Sequence, residues 1–103
     1  MKMCILMNPS DNVATVLQDT STNDRLSIVG QDKKKVGEVV SAADIPFAHK
    51  ICVQPIHQAS VVLKFGVVIG RATSDIPLGG YAHIHNVISI KGSEDVVGGG
   101  KRS

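Results

Sequence analysis

Apolar residues along this chain come in short runs, rich in valine and isoleucine and interrupted by turn formers every several positions. β-Branched side chains are stiff in a helix and pack well on a pleated surface, so the pattern predicts many short strands. They are expected over residues 4–7, 13–18, 26–29, 36–41, 50–53, 61–63, 67–72 and 82–90. A short helix over 12–17, capped by Ser10 or Asp11, is disfavoured by Val13, Thr15 and Val16. Between the runs stand Asn8-Pro9-Ser10-Asp11-Asn12 and Thr20-Ser21-Thr22-Asn23-Asp24, whose side chains can bond their own backbone. Gly66 and Gly70 read as bracketing a corner, and Leu78-Gly79-Gly80 permits positive φ. Asp-Ile-Pro occurs twice, at 44–46 and 75–77. With nothing else repeating around them, the two copies read as similar extended approaches to turns. The prediction is an all-β domain over 1–92, followed by a flexible Gly-rich tail over 93–103 with no apolar anchor in Gly98-Gly99-Gly100-Lys101-Arg102-Ser103.

Composition narrows the function. The chain has 103 residues, 43% of them hydrophobic and 19% charged, the balance of a folded globular domain. That length buries a modest core and is too short to enclose both a sizeable substrate and a full catalytic apparatus. A net charge of +2 and only three aromatic side chains exclude a nucleic-acid binder. Lys33-Lys34-Lys35 reads as a solvated turn or strand edge. Cys4 and Cys52 lie in apolar runs with no zinc-type spacing, which predicts buried structural thiols. The apolar stretch after Lys2 is too short for a signal peptide and no run approaches a membrane span, so a cytoplasmic location is the expectation.

The densest polar constellation is Tyr81-Ala82-His83-Ile84-His85-Asn86. As a strand it would put Tyr81, His83 and His85 on one face and turn Ile84 inward. Two such imidazoles can converge on a divalent metal or an anionic substrate; the same pair also suits a structural role, bonded to backbone carbonyls. His49 is a candidate third nitrogen ligand or proton shuttle, or a structural histidine at a strand start. Lys50, Lys64 and Arg71 could take a carboxylate, Arg71 with two parallel bonds. His57 reads as a turn residue without a role. No phosphate-cradling glycine loop, no nucleophile elbow and no paired carboxylates occur.

Three longer stretches carry a resemblance. Asp44-Ile45-Pro46-Phe47-Ala48-His49-Lys50, the segment from Lys64-Phe65-Gly66 to Arg71-Ala72-Thr73, and Asp75-Ile76-Pro77-Leu78-Gly79-Gly80 through Asn86 resemble, in order, three signatures of the SAF-type domain of the altronate/galactarate dehydratase family. Asn8-Pro9-Ser10-Asp11-Asn12-Val13-Ala14 is similar to that family's start. The resemblance implies a β-clip fold and membership of a sugar-acid hydro-lyase, as an N-terminal domain or a separate small subunit beside a large catalytic subunit. It implies a divalent metal, iron or manganese, in the complete enzyme, with His83 and His85 as metal ligands. It further implies His83, His85 and His49 as catalytic residues and Lys50, Arg71 and Asn86 as substrate-binding ones. A homo-oligomer is a further expected assembly. The small subunit of sulfolactate sulfo-lyase, of the same two-part design, is a second reading; a non-catalytic assembly module is a third. Two positions depart from the family pattern. Tyr81 stands where a histidine is common, and a phenol is a poor ligand for a borderline divalent ion. Ala48 stands where glycine is usual, so the backbone there is expected to avoid positive φ.

Overall fold

The computed structural model describes residues 1–90, and these form an all-β domain. The expected tail over 93–103, and the boundary at 92 that would precede it, lie outside the described residues. The strands, in chain order, are β1 (Lys2–Ile5), β2 (Val13–Val16), β3 (Arg25–Val29), β4 (Lys35–Val40), β5 (Lys50–Cys52), β6 (Val61–Lys64), β7 (Val67–Ala72), β8 (Tyr81–Ala82) and β9 (Val87–Ser89). Six make one sheet in the order β4-β3-β1-β2-β5-β8, and three make a second in the order β6-β7-β9. Only the β1–β3 pairing is parallel among them.

Two apolar cores result, and three neighbouring strands feed both. Along β2, Val13 enters one core and Ala14 the other; Cys52 and Ile51 divide the same way on β5, and Ala82 and Tyr81 on β8. Successive side chains of a strand face opposite ways, so a strand covered on both faces must read as a continuous apolar run. Cys4 and Cys52 are fully buried free thiols, one in each core, and burial pushes both up to about 12. They are structural, as expected.

The second sheet is tied to the first by loop 8–12. Asp11 is fully buried, and its carboxylate accepts the Phe65 and Gly66 N–H groups at 2.8 Å each. Asn12 accepts the Leu63 N–H and donates to the Val61 carbonyl. Gly66 sits at that hairpin's tip with φ of 74°. Gly70 does not bracket a corner. It lies within β7, where a Cβ would meet Val87 Cγ1 at 2.6 Å and the Ile88 carbonyl at 2.7 Å, so its role is the close approach of β9.

The two Asp-Ile-Pro segments prove to belong to a four-fold repeat that composition hides. Residues 19–24, 44–49, 55–60 and 75–80 form the same corner, each with one residue in the left-handed region: Asn23, Ala48, Ala59 and Gly79, at φ of 74°, 72°, 71° and 80°. Each closes with an i to i+3 hydrogen bond, as in His49 N–H to the Pro46 carbonyl and Gly80 N–H to the Pro77 carbonyl. The corners pair reciprocally, Thr20 with Ile45 and Ile56 with Ile76, exchanging both backbone hydrogen bonds in each pair at 2.8 to 2.9 Å. Asp19, Asp44 and Asp75 each cap the facing corner, accepting the N–H of Phe47, Thr22 and Gln58. Proline occupies the fourth capping position, at Pro55.

Ala48 therefore does adopt positive φ, against expectation. The geometry is imposed from outside the residue, because its N–H donates to the Val16 carbonyl and its neighbour His49 accepts from the Val16 N–H. Two cross-chain bonds outweigh a left-handed penalty of about 1–2 kcal/mol. Ala48→Gly should accordingly be neutral or stabilise by up to about 1 kcal/mol, the relief being offset by added chain entropy. Gly79→Ala, whose Cβ would lie 2.1 Å from the Val40 carbonyl oxygen, should cost more than about 3 kcal/mol. Thermal melts of the two variants check the contrast.

Candidate functional site

The pairing of β5 with β8 assembles the site. Lys50 stands opposite Ala82 and Ile51 opposite Tyr81, and one further step in that register sets His49 across from His83. Residues directly opposite in an antiparallel pair have their side chains within contact range, and the His49 and His83 ring centroids are 4.6 Å apart. His49 is delivered to this place by the corner containing Ala48, and Tyr81 by the corner containing Gly79.

Tyr81 is the hub. Its hydroxyl is 2.6 Å from His49 Nδ1, its ring stacks on His83 at 5.5 Å, and His85 lies on it at 5.3 Å. Strand alternation through Tyr81-Ala82-His83-Ile84-His85-Asn86 predicts Tyr81, His83 and His85 on one face. The structure unites them differently. The chain leaves the strand after Ala82, makes a turn through His83-Ile84-His85-Asn86, and returns as β9. Asn86 builds that turn, its Oδ1 accepting the His83 N–H at 2.9 Å and its Nδ2 donating to the Tyr81 carbonyl at 2.8 Å. A second consequence is that Ile84 faces out, 84% exposed, where alternation would have turned it inward.

Of the remaining candidates, Lys50 belongs to the site and Arg71 lies apart from its cavity. Arg71 extends from β7 to donate to the Ala59 carbonyl at 2.7 Å. Lys50, His83 and Ser89 form the polar side of an open cavity of about 240 Å³, whose apolar walls include Val62, Ile69, Ala82 and Val87. A larger hollow of about 510 Å³, by Leu6, Pro9 and Gln31, contains no histidine or lysine. His57 is exposed in the third corner.

Electrostatics separates the histidines. The His83 imidazole is held below its ordinary value by desolvation first, then by the positive charge that His49, Lys50 and His85 present to it. Lys50 is lowered by burial and by Lys64 nearby. Among the described residues no hydrogen bond engages the ring nitrogens of His83 or His85, and His83 is only half buried. These are not satisfied core histidines. A lowered value leaves the His83 imidazole neutral, with a free lone pair, near neutral pH.

A metal fits this chain's own donors less well. Among the described residues no three His, Cys, Asp or Glu side chains gather as a metal site would need. His83 and His85 are two nitrogens, and a phenol adds little for iron or manganese. No helix among the described residues is long and apolar enough to cross a membrane.

His83 should titrate below the ordinary histidine value of about 6.5 when followed by NMR on the isolated chain. Lys50→Met should raise its midpoint without restoring the ordinary value, because desolvation is the larger cause. A midpoint indifferent to Lys50 would contradict the electrostatic account.

The family model for the altronate/galactarate dehydratase SAF domain matches residues 2–90. Altronate dehydratase of Bacillus subtilis (strain 168) is 34% identical over 86 residues, which are 84% of this chain and 16% of that protein. Altronate dehydratase of Escherichia coli (strain K12) is 32% identical over 82 residues, 80% of this chain and 15% of that protein. The (2R)-sulfolactate sulfo-lyase subunit alpha of Chromohalobacter salexigens is 35% identical over 60 residues, 58% of this chain and 62% of that subunit. The matched part of the chain thus spans about a sixth of the length of the dehydratase relatives.

Proposed function

The chain belongs to the SAF-domain family of altronate/galactarate dehydratases, and on that premise we propose that it is the small component of a sugar-acid hydro-lyase, completing its active site with a larger catalytic region. The observation that carries this reading is the open, half-built character of the site. His49, Tyr81, His83 and Lys50 converge on one accessible surface, beside a cavity of about 240 Å³. Small-molecule sites that enclose their ligand usually run from about 300 to 1,000 Å³. The remaining walls, and any metal donors beyond two imidazoles, belong to the larger region.

The reaction breaks the C–H bond α to a carboxylate and the C–O bond β to it, releasing water and leaving an enol that relaxes to a 2-keto-3-deoxy acid. The demanding step is proton removal, which spreads negative charge onto the carboxylate. A neutral imidazole at His83 can accept that proton, and its depressed value keeps it competent at neutral pH. Lys50, at the start of β5, supplies positive charge to the substrate carboxylate, where a partly desolvated ammonium acts more strongly than in water. Arg71 and Asn86, engaged by Ala59 and by the 81–86 turn, hold the frame in this reading.

The similarity to a sulfo-lyase subunit favours one further reading, in which the leaving group is sulfite and the acid has three carbons. Proton abstraction α to the carboxylate is common to both, so the roles of His83 and Lys50 carry over. Product analysis separates them, since one reaction yields a 2-keto-3-deoxy acid and the other yields sulfite.

Two outcomes test the proposal. The isolated chain should turn over neither galactarate nor altronate, and appreciable activity alone would overturn the half-site account. In the complex with the larger region, His83→Gln should lower kcat by about 10²–10⁴, the usual contribution of a general base, with assembly unchanged by gel filtration. Unaltered turnover would instead make the chain an assembly module.

A further inference from the structure

The sequence motif ends in two histidines, yet the side chain that meets all three histidines of the cluster is Tyr81. We propose that Tyr81 is the positioning residue of the site, its phenol O–H donating to His49 Nδ1 and holding that imidazole in the tautomer that presents Nε2–H to a bound carboxylate. The inference deepens the lyase reading and rests on it for the identity of the ligand.

The direction of the hydrogen bond follows from the two groups. A phenol is a good donor and a weak acceptor, while the unprotonated nitrogen of a neutral imidazole is a good acceptor. Among the described residues His49 Nδ1 is the hydrogen-bond partner of the Tyr81 hydroxyl, at 2.6 Å. With Nδ1 occupied as acceptor, the ring hydrogen of neutral His49 resides on Nε2.

Tyr81 is also placed to impose an orientation. Its ring packs against the first core, its backbone pairs with Ile51, and its carbonyl is held by Asn86 Nδ2. The phenol cannot swing away without losing the packing of its ring against that core. His49 enters at a corner whose backbone is hydrogen-bonded to Val16 and Pro46, so both side chains start from backbone held in place.

Two imidazoles 4.6 Å apart therefore take opposite roles. His49 is a donor, suited to an anionic oxygen, and cannot serve as the base while neutral. His83, whose ring nitrogens have no partner among the described residues, keeps a lone pair for the proton. Lys50 and His85 are the other charged or titratable groups facing the pair, with Lys64 behind Lys50. A phenol at this position is of little use to a metal but well suited to setting a tautomer.

Long-range ¹H–¹⁵N spectra of the uniformly labelled chain, above the titration range of its histidines, test the assignment. Wild type should show a slowly exchanging Tyr81 hydroxyl proton correlated with His49 Nδ1, and a directly bonded proton on Nε2. Tyr81→Phe keeps the ring and its stack on His83, so amide shifts away from the cluster should stay fixed. The His49 Nδ1 resonance should then move downfield, well beyond the change at His57. A proton bonded to His49 Nδ1 in wild type, or an Nδ1 resonance indifferent to Tyr81→Phe, would overturn the proposal. If Tyr81→Phe fails to fold, the wild-type spectrum decides by the hydroxyl correlation and the protonated nitrogen. No turnover is measured, so an error in the substrate assignment leaves this result untouched.

Discussion

Reciprocal backbone hydrogen bonding between corners is the constraint on which the rest of this domain depends. A sheet of very short strands exposes many N–H and C=O groups at the strand ends, and buried groups of this kind must find partners. Here each corner satisfies the ends of its counterpart, Thr20 with Ile45 and Ile56 with Ile76, and an aspartate from the facing corner caps most of them. That demand explains why alanine is tolerated at positive φ in two of the four corners. It also explains why Gly79 has no alternative, since Val40 passes directly over it.

The site inherits its precision from this frame. His49 and Tyr81 each emerge within two residues of a left-handed corner position and enter adjacent strands whose register sets His49 across from His83. Side chains that rise from hydrogen-bonded backbone and bond each other need little reorganisation on meeting a ligand, which is the condition for electrostatic preorganisation. Asn86 extends the same logic to the turn, using both ends of its amide to hold residues 81–86 in shape.

Desolvation and charge act on the site in the same direction. Apolar walls beside His83 and Lys50 lower both groups, and the proximity of His49, Lys50 and His85 lowers His83 further. An anionic ligand would relieve that repulsion. The arrangement remains open to solvent on the side where Ile84 projects.

The all-β class, most strand positions and both buried thiols were legible in the sequence, because period-2 burial and turn chemistry are local and leave a local trace. The tertiary structure decided the rest. The four-fold corner is invisible in composition because its signature is a backbone angle and a set of cross-chain bonds, satisfied by Asn, Ala, Ala and Gly alike. The break after Ala82 escaped the apolar pattern because Asn86, a residue four positions on, makes the turn with side-chain bonds that no periodicity encodes. Above all, the meeting of His49 with Tyr81 joins residues 32 positions apart. Their contact is a property of strand register, which depends on how two distant segments share two cores, and so it exists only in the folded chain.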